Sequence, residues 1–485
     1  MMLYQCMWCF IQQFPVYIIC MTVYIQPASS SSPQVNMLPW LLRSRVLRRP
    51  VALLGAACTS VLFGVFVFNK VLVNSAANCV VSCRMSSFAS YERLQRNEAS
   101  KKMKHPMIKS FDVNFLGSNS PIEDRFVVGT SANLGAALFS LIDGHKGGRC
   151  SHFLQKHILK YITSTLHKAA GLPHSTDLRI VLDMNSTVNM MDSTSDDETG
   201  NDEFSEKLSL DHTAIEKCLR ESFVSLDSDI GEAALADIKM VLLGHSFTTE
   251  MKERVMTAIE GACAITALVR QRNVFVANTG DCRVVIGQKL PDNTWEAIPL
   301  SHDHNALNEA EVQRLKSSHP GEENTVIIGD RVLGSLMPFR TFGDVDFKWE
   351  KKYLENVVPV WPNYFTPPYM TAEPVVTKHE VQAGDKFMIL ASDGLWERIT
   401  NEDAVNVVVQ SMRGAVPHGK SWAASFFKGR KNDAECCLEN AATQLLWHAL
   451  GGTDETVTQL LNVDQRWSRM FRDDITVIVV FFRDE

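Results

Sequence analysis

Ala136-Ala137-Leu138-Phe139-Ser140-Leu141-Ile142-Asp143-Gly144-His145 is the stretch on which the reading of the fold turns. Residues 136–142 are a short, mostly apolar run of strand length, and the run stops at Asp-Gly-His, where a carboxylate beside glycine ordinarily marks a turn. Across residues 151–166, Phe153, Leu154, Ile158, Tyr161 and Ile162 recur at helical spacing, which predicts a helix packed on a sheet. Working outward, residues 264–269 and 274–278 flank Gln271-Arg272-Asn273 as a hairpin. The tight turn Thr279-Gly280-Asp281 then leads into a strand over 283–286. Residues 386–391 make another apolar strand, followed by Ser392-Asp393-Gly394. Thr400, with Asp403 three residues on, opens a helix carrying Val405, Val408 and Val409. A last apolar strand over 475–482 follows Asp473-Asp474, and no internal repeat interrupts this order.

Asp143, Asp393 and Asp473 thus each stand at one end of an apolar strand, and the pair Glu123-Asp124 precedes them. Singly, each reads as a turn residue. Together, on neighbouring strands, they would gather negative charge in one small volume that only a cation could neutralise. Oxygen donors without Cys or a coordinating His favour a hard ion, Mg²⁺ or Mn²⁺, over zinc.

Composition supports a globular chain. The 485 residues are 45% hydrophobic and 21% charged, with 25 Phe, which excludes a wholly disordered polypeptide. A net charge of −7 argues against non-specific nucleic-acid binding. The length fits two to four average domains, or one large domain with insertions and a targeting segment. Residues 191–205 are polar and acidic, with almost nothing to bury, and read as a surface loop rather than a calcium loop. Cys6, Cys9, Cys20, Cys58, Cys79 and Cys83 lie in the first 91 residues; Cys150, Cys218, Cys263, Cys282, Cys436 and Cys437 follow without zinc-like spacing. A reducing compartment is expected.

Glu123-Asp124, Asp143-Gly144-His145, Asn278-Thr279-Gly280-Asp281-Cys282-Arg283, Asp303-His304, Asp393-Gly394 and Arg472-Asp473-Asp474-Ile475-Thr476 follow one another in a fixed order. In that order the chain resembles the metal-dependent type 2C Ser/Thr protein phosphatases, from about Asp112 onward, apart from the acidic loop and the region around 411–435. Each motif is weak alone, and the ordered set is specific. Residues 119–125, 300–306, 336–340 and 367–374 narrow the resemblance to the pyruvate dehydrogenase phosphatase branch of that family.

The resemblance implies an α+β sandwich, two packed antiparallel sheets flanked by helices, over residues 112–485, with residues 92–111 as a linker. It implies that Asp143 bridges two Mg²⁺ or Mn²⁺ ions, with the Gly144 carbonyl as a further ligand. Glu123 would serve one ion, and Asp393 and Asp473 the other; Asp281 and Asp393 match the positions of a weaker third ion held by some members. A hydroxide bridging the ions would attack phosphorus directly, with Asp143 and His145 as the catalytic pair and His145 as general acid. The implied substrate is phosphoserine on the pyruvate dehydrogenase component, whose dephosphorylation reactivates the complex. The implied partners are the lipoyl domain of the dihydrolipoyl acetyltransferase core and a separate regulatory subunit. Two other readings stand beside this one: the same chemistry on another mitochondrial phosphoprotein, and an inactive relative acting as a regulatory module, which the presence of Asp143, Asp393 and Asp473 disfavours.

The chain departs from the family at several positions. Many members carry an Arg that holds substrate phosphate four residues before the metal-site Glu, where this chain has Asn119. Asn119 is therefore the candidate for positioning phosphate, with Lys146 either adding positive charge or simply solvated. Cys263 and Cys282 stand where hydroxyl residues are usual and read as packing substitutions.

Residues 1–91 contain no Asp or Glu and carry Arg43, Arg45, Arg48, Arg49, Lys70 and Arg84, so they hold +6 and the remaining residues −13. An acid-free, Arg-bearing start matches a mitochondrial transit peptide. Residues 51–68 are 18 uncharged residues, at the lower edge of a membrane span. Two readings remain open, a retained anchor or part of a removed leader; a substrate in the matrix favours removal. Met1 and Met37 are alternative starts. A fluorescent fusion of residues 37–100 is expected to enter mitochondria, and a cytosolic signal would sink the import reading.

Overall fold

The computed structural model describes residues 87–172, 177–189, 210–355, 357–414 and 439–484. In it the 136–142 strand extends to Ala136–His145 (β4). Successive side chains leave a strand by opposite faces. Ala137, Phe139 and Leu141 accordingly join one apolar cluster, and Ala136, Leu138 and Ile142 another. A strand buried on both faces has to lie in a middle layer.

That layer is one of two antiparallel sheets. The first has the order β1–β2–β15–β14–β8–β9. Its strands are Ala99–Lys102 (β1), Ile108–Leu116 (β2), Arg283–Lys289 (β8), Trp295–Pro299 (β9), Asp385–Ala391 (β14) and Ile475–Phe482 (β15). The second runs β13–β7–β6–β4–β3–β5, with β12 pairing on β6. Its strands are Arg125–Ser131 (β3), β4, Leu178–Asp183 (β5), Gly261–Arg270 (β6), Asn273–Thr279 (β7), Phe342–Gly343 (β12) and Val375–Glu380 (β13). A small hairpin of Ile327–Ile328 (β10) and Arg331–Val332 (β11) stands apart.

Phe111, Val113, Phe139, Ile265, Val284, Met388 and Ile478 fill the space between the sheets. Helices Arg149–Ala169 (α2), His212–Leu242 (α3) and Thr249–Ile259 (α4) cover the outer face of the second sheet. Ser87–Gln95 (α1), Asn401–Met412 (α6), Ala441–Ala449 (α7) and Asp454–Leu461 (α8) cover the first. The short helices Asp393–Trp396 (α5) and Gln465–Ser468 (α9) sit just before or after strands of the first sheet in sequence. The molecule is therefore the expected four-layer α+β sandwich. Between β9 and β13 a lobe with its own small core gathers Leu315, Val332, Phe339, Phe347 and Tyr369.

Local expectations mostly become elements as read. Gln271, with φ 52°, makes the β6–β7 hairpin turn, and the Thr400 hydroxyl accepts from the Asp403 N–H at 3.1 Å to cap α6. One expectation needs correcting. Residues 92–111, read as a linker, belong to the fold: Leu94 is buried in the outer cluster, β1 pairs with β2, and β2 opens at Ile108. The sequence Ala-Ser-Lys-Lys of β1 is an edge strand of alternating half-exposure, so it has no apolar run to betray it. The acidic 191–205 segment and the 51–68 stretch lie outside the described residues. Among the described residues no helix is long and apolar enough to cross a membrane.

Phe139 is wholly buried between the sheets, edge-on to Phe111 at 5.6 Å. Phe139→Ala is expected to cost about 3–5 kcal/mol in urea unfolding; a loss below 1 kcal/mol would contradict a close-packed inter-sheet layer.

Candidate metal centre

Residue parity on β4 carries Asp143 to the same face as Phe139 and Leu141, toward the inter-sheet space. Asp281 follows β7 through the Thr279-Gly280 turn, and Asp393 opens α5 directly after β14. Asp143, Asp281 and Asp393 each offer a carboxylate oxygen, and these oxygens all lie within 4.8 Å of one another. Burial holds the Asp143 carboxyl well above the ordinary range, with Asp393, Asp124 and Asp281 adding repulsion. Asp393 is raised in the same way, by burial and then by Asp281, Glu397 and Asp124. Asp281 is also raised, by burial first. The Cys263 thiol, 3.1 Å from Asp281 Oδ1, is pushed up by burial too, so it donates to the carboxylate and is not a thiolate ligand. Cys263 is thus more than the packing substitution expected.

A second acidic residue organises the other half of the site. Asp474, almost fully buried, accepts the backbone N–H of Ser118 at 2.5 Å, of Asn119 at 2.8 Å and of Glu123 at 2.7 Å. The Asn119 amide donates to Asp474 Oδ2 at 3.2 Å and to Glu123 Oε2 at 3.1 Å. The 118–123 loop is therefore wound round one carboxylate, which fixes Glu123. Its carbonyl is held by the Ser151 hydroxyl at 2.5 Å. Gly144 is required beneath it, since a Cβ there would come within 2.6 Å of the Glu123 carbonyl oxygen and 2.7 Å of Ser151 Oγ. This close approach brings the Glu123 backbone against the Asp143-Gly144 stretch. Asp124, next along, accepts from Ser392 Oγ at 2.9 Å, and that same oxygen accepts from the Thr476 N–H at 3.0 Å.

Asp473, expected with Asp393, is not one of the three gathered oxygens; it pairs with Arg469 and accepts from the Asp474 N–H at 2.7 Å. Asp281, matched only to a weaker third ion, stands in the group instead.

His145 projects Nε2 to within 2.7 Å of Asp344 Oδ2. Asp344 has no exposure, and Lys146 pairs with it at 2.7 Å and with Asp346 at 2.8 Å while lying over the Phe347 ring. Burial opposes the charge on Asp344, but His145 and Lys146 outweigh it and hold the carboxyl well below the usual range. Lys146 is accordingly neither a solvated lysine nor a free phosphate ligand. Gly261 makes room for the contact, because a Cβ there would meet Asp344 Oδ2 at 2.1 Å and His145 Nε2 at 2.3 Å. Asp344 was not found from sequence. Its signal was Gly343-Asp344, the same juxtaposition that marks Gly280-Asp281, but set in the two-residue strand β12, too short to show a period.

A family model described as Protein phosphatase 2C matches residues 196–418. Over 429 residues the chain is 35% identical to pyruvate dehydrogenase (acetyl-transferring) phosphatase 1, mitochondrial, of Bos taurus, covering 77% of this chain and 78% of that one. It is 34% identical to the human mitochondrial phosphatase 2 of the same description, with the same coverage of 77% and 78%. A protein phosphatase 2C homolog of Schizosaccharomyces pombe is 31% identical over 81% of this chain and 85% of its own. The chain belongs to the protein phosphatase 2C family. It is a protein Ser/Thr phosphatase, and as a member of this family it depends on Mg²⁺ or Mn²⁺. The residues present fit that requirement. One buried and two half-buried carboxylates, with raised proton affinity and no cationic side chain among them, form an all-oxygen donor set suited to a hard divalent ion.

Asp124 has its carboxyl pushed up to about 7, by burial and then by Asp474. In the metal-free protein these acids keep protons that the unfolded chain releases above about pH 4, so stability falls as pH rises through the folded-state values. Asp344, shifted the opposite way, stays ionised throughout and does not contribute to this trend. In EDTA the melting temperature is expected to drop by several degrees between pH 5 and pH 8, and Mg²⁺ or Mn²⁺ to restore more of it at pH 8. Equal metal stabilisation at both pH values, in scanning calorimetry, would show that metal does not replace those protons.

Proposed function

We propose that this phosphatase hydrolyses phosphoserine on the pyruvate dehydrogenase component of the mitochondrial complex, restoring its activity. Two observations support the substrate: the identity to the bovine and human mitochondrial enzymes, and coverage of more than three quarters of each. The observation that carries the chemistry is the set of three carboxylate oxygens within 4.8 Å of one another, with His145 two residues from Asp143.

In this reading Asp143, with the Gly144 carbonyl, would hold two Mg²⁺ or Mn²⁺ ions, Glu123 would help to hold one and Asp393 and Asp473 the other, and Asp281 with Asp393 would hold a weaker third. When bound, such ions lower the pKa of water and offset charge on the phosphoryl group. Asp474 keeps Glu123 in register by holding its backbone N–H. Asp344, kept ionised, can only accept at His145 Nε2, so that nitrogen carries hydrogen and Nδ1 is the nitrogen that gives a proton to the departing serine oxygen. The buried carboxylate also holds the imidazole ring in place for that donation, as in other His–Asp pairs. No side chain forms a covalent bond to phosphorus in this scheme.

The relatives are mitochondrial by name, and we place the enzyme's action in the matrix, where its substrate would be held on the acetyltransferase core. Docking through the lipoyl domain of that core, and association with a regulatory subunit, complete the proposal.

Asp143→Asn is expected to lower Mg²⁺- or Mn²⁺-dependent phosphate release from phosphorylated pyruvate dehydrogenase by at least about 100-fold. Undiminished release would remove Asp143 from the metal set. Equal wild-type rates on pyruvate dehydrogenase and on an unrelated mitochondrial phosphoprotein would sink the substrate assignment.

A further inference from the structure

Four cations near the metal centre are already committed. Lys146 is held by Asp344 and Asp346, Arg149 by Glu253 and Glu260, Arg283 by Asp303 in a two-pronged pair, and Arg125 by the carbonyls of Ile122 and Asp124. The Asn119 amide, too, is engaged by two carboxylates. Arg469 is paired too but is more exposed than Lys146, Arg149 or Arg283. Its side chain is 52% exposed, it pairs with Asp473, and its charge also acts on Glu123, so it stands at the rim of the site facing water.

Arg469 belongs to a segment with an unusual surface. Trp467 is 52% exposed, Met470 74% and Phe471 52%. These residues lie in α9 and the turns that follow it, where the Met470 and Phe471 N–H groups donate to the Trp467 and Ser468 carbonyls at 3.0 Å. Ser468 and Arg472 are buried and anchor the turn, and the Arg472 guanidinium donates to the Gly117 carbonyl at 2.8 Å. Arg398, also exposed, donates to the Phe471 carbonyl at 2.6 Å. An apolar ridge flanked by the exposed guanidinium groups of Arg398 and Arg469 therefore adjoins the metal site through the Arg469–Asp473 pair.

We propose that residues 465–471 form the docking lip for the phosphoserine-bearing segment of the protein substrate, with Arg469 contacting the phosphate side and Trp467, Met470 and Phe471 seating an apolar neighbour. The occupant follows from charge and continuity. A phosphorylated segment is anionic, and Met470 and Phe471 lie within about 10 Å of Asp473, the most that two or three residues of chain can span. An extended substrate covers that distance in about three residues, so the apolar residue it seats lies two or three positions from the phosphoserine. This rests on the phosphatase reading above and adds where its selectivity for a protein substrate originates.

The test separates the two. The triple variant Trp467→Ser, Met470→Ser, Phe471→Ser is expected to raise KM for phosphorylated pyruvate dehydrogenase about tenfold, with kcat within about twofold. The ratio of its kcat/KM to that on p-nitrophenyl phosphate should fall about tenfold. Leu243→Ser, at an equally exposed apolar site in another element, should leave the ratio unchanged. In the Asp143→Asn background with Mg²⁺, the triple variant should bind the phosphorylated protein about tenfold more weakly, and Arg469→Gln should lose the preference for phosphorylated over unphosphorylated protein. Unchanged KM and unchanged binding overturn the docking lip while leaving the phosphatase intact. A wild-type chain without metal-dependent turnover overturns the phosphatase reading, and the binding measurement still decides the lip.

Discussion

Mutual repulsion among buried carboxylates is the constraint on which this site depends. Two unit charges 4.8 Å apart, the outer limit for Asp143, Asp281 and Asp393, repel by about 3.5 kcal/mol at an effective dielectric near 20. Burial adds a further penalty for each charge. The protein answers this penalty in two distinct ways. Asp344 and Asp474 receive protein donors: a histidine and a lysine for the first, three backbone N–H groups for the second. Asp143 and Asp393 receive no cationic side chain and face each other, while Asp281 is met by a weak thiol donor. The division sorts structural acids from those kept for an external ion, and it does so without reference to any relative.

The same sorting explains what the sequence reveals. Strands such as 136–145 and 475–482 carry long apolar runs because both faces are covered, so their ends, and the acids at those ends, stand out. Asp281 and Asp393 were legible for the same reason. Asp344 was not, because β12 has two residues and pairs only with the end of β6. The role of Asp474 was hidden by its neighbour: side by side in sequence, Asp473 and Asp474 look equivalent, and only the chain path shows one turned toward Arg469 and the other buried under the 118–123 loop. Edge strand β1 and the end of helix α1 were read as linker, and residues 87–91 as the end of the targeting segment, because polar edges have no periodic apolar face. What escaped was set by short elements and by pairings across more than 190 residues, such as His145 with Asp344.

Glycines mark where these separate pieces of chain touch. Gly144 lets the Glu123 carbonyl approach the β4 end, and Gly261 lets Asp344 reach His145. Neither has its φ in the left-handed region, so the requirement is space and not backbone freedom. Any side chain at Gly144 would push the Glu123 loop off Asp143. A side chain at Gly261 would part the histidine from its carboxylate.

The substitution at position 119 can then be understood through Asp474. In this chain the Asn119 amide bridges Asp474 and Glu123 and closes the loop on itself. A longer, charged side chain at 119 would reach beyond those partners toward open solvent, as a phosphate ligand must. With asparagine in its place, the loop becomes an internal brace, and the cation left at the rim is Arg469, contributed by the segment that leads into β15. In the proposed docking lip, phosphate contact and apolar docking would then be carried by one short segment, residues 467–471. A small phosphate ester could use only the arginine, whereas a folded phosphoprotein could use the arginine and the ridge together. Selectivity for a protein over a small ester would follow from moving that charge next to Trp467, Met470 and Phe471.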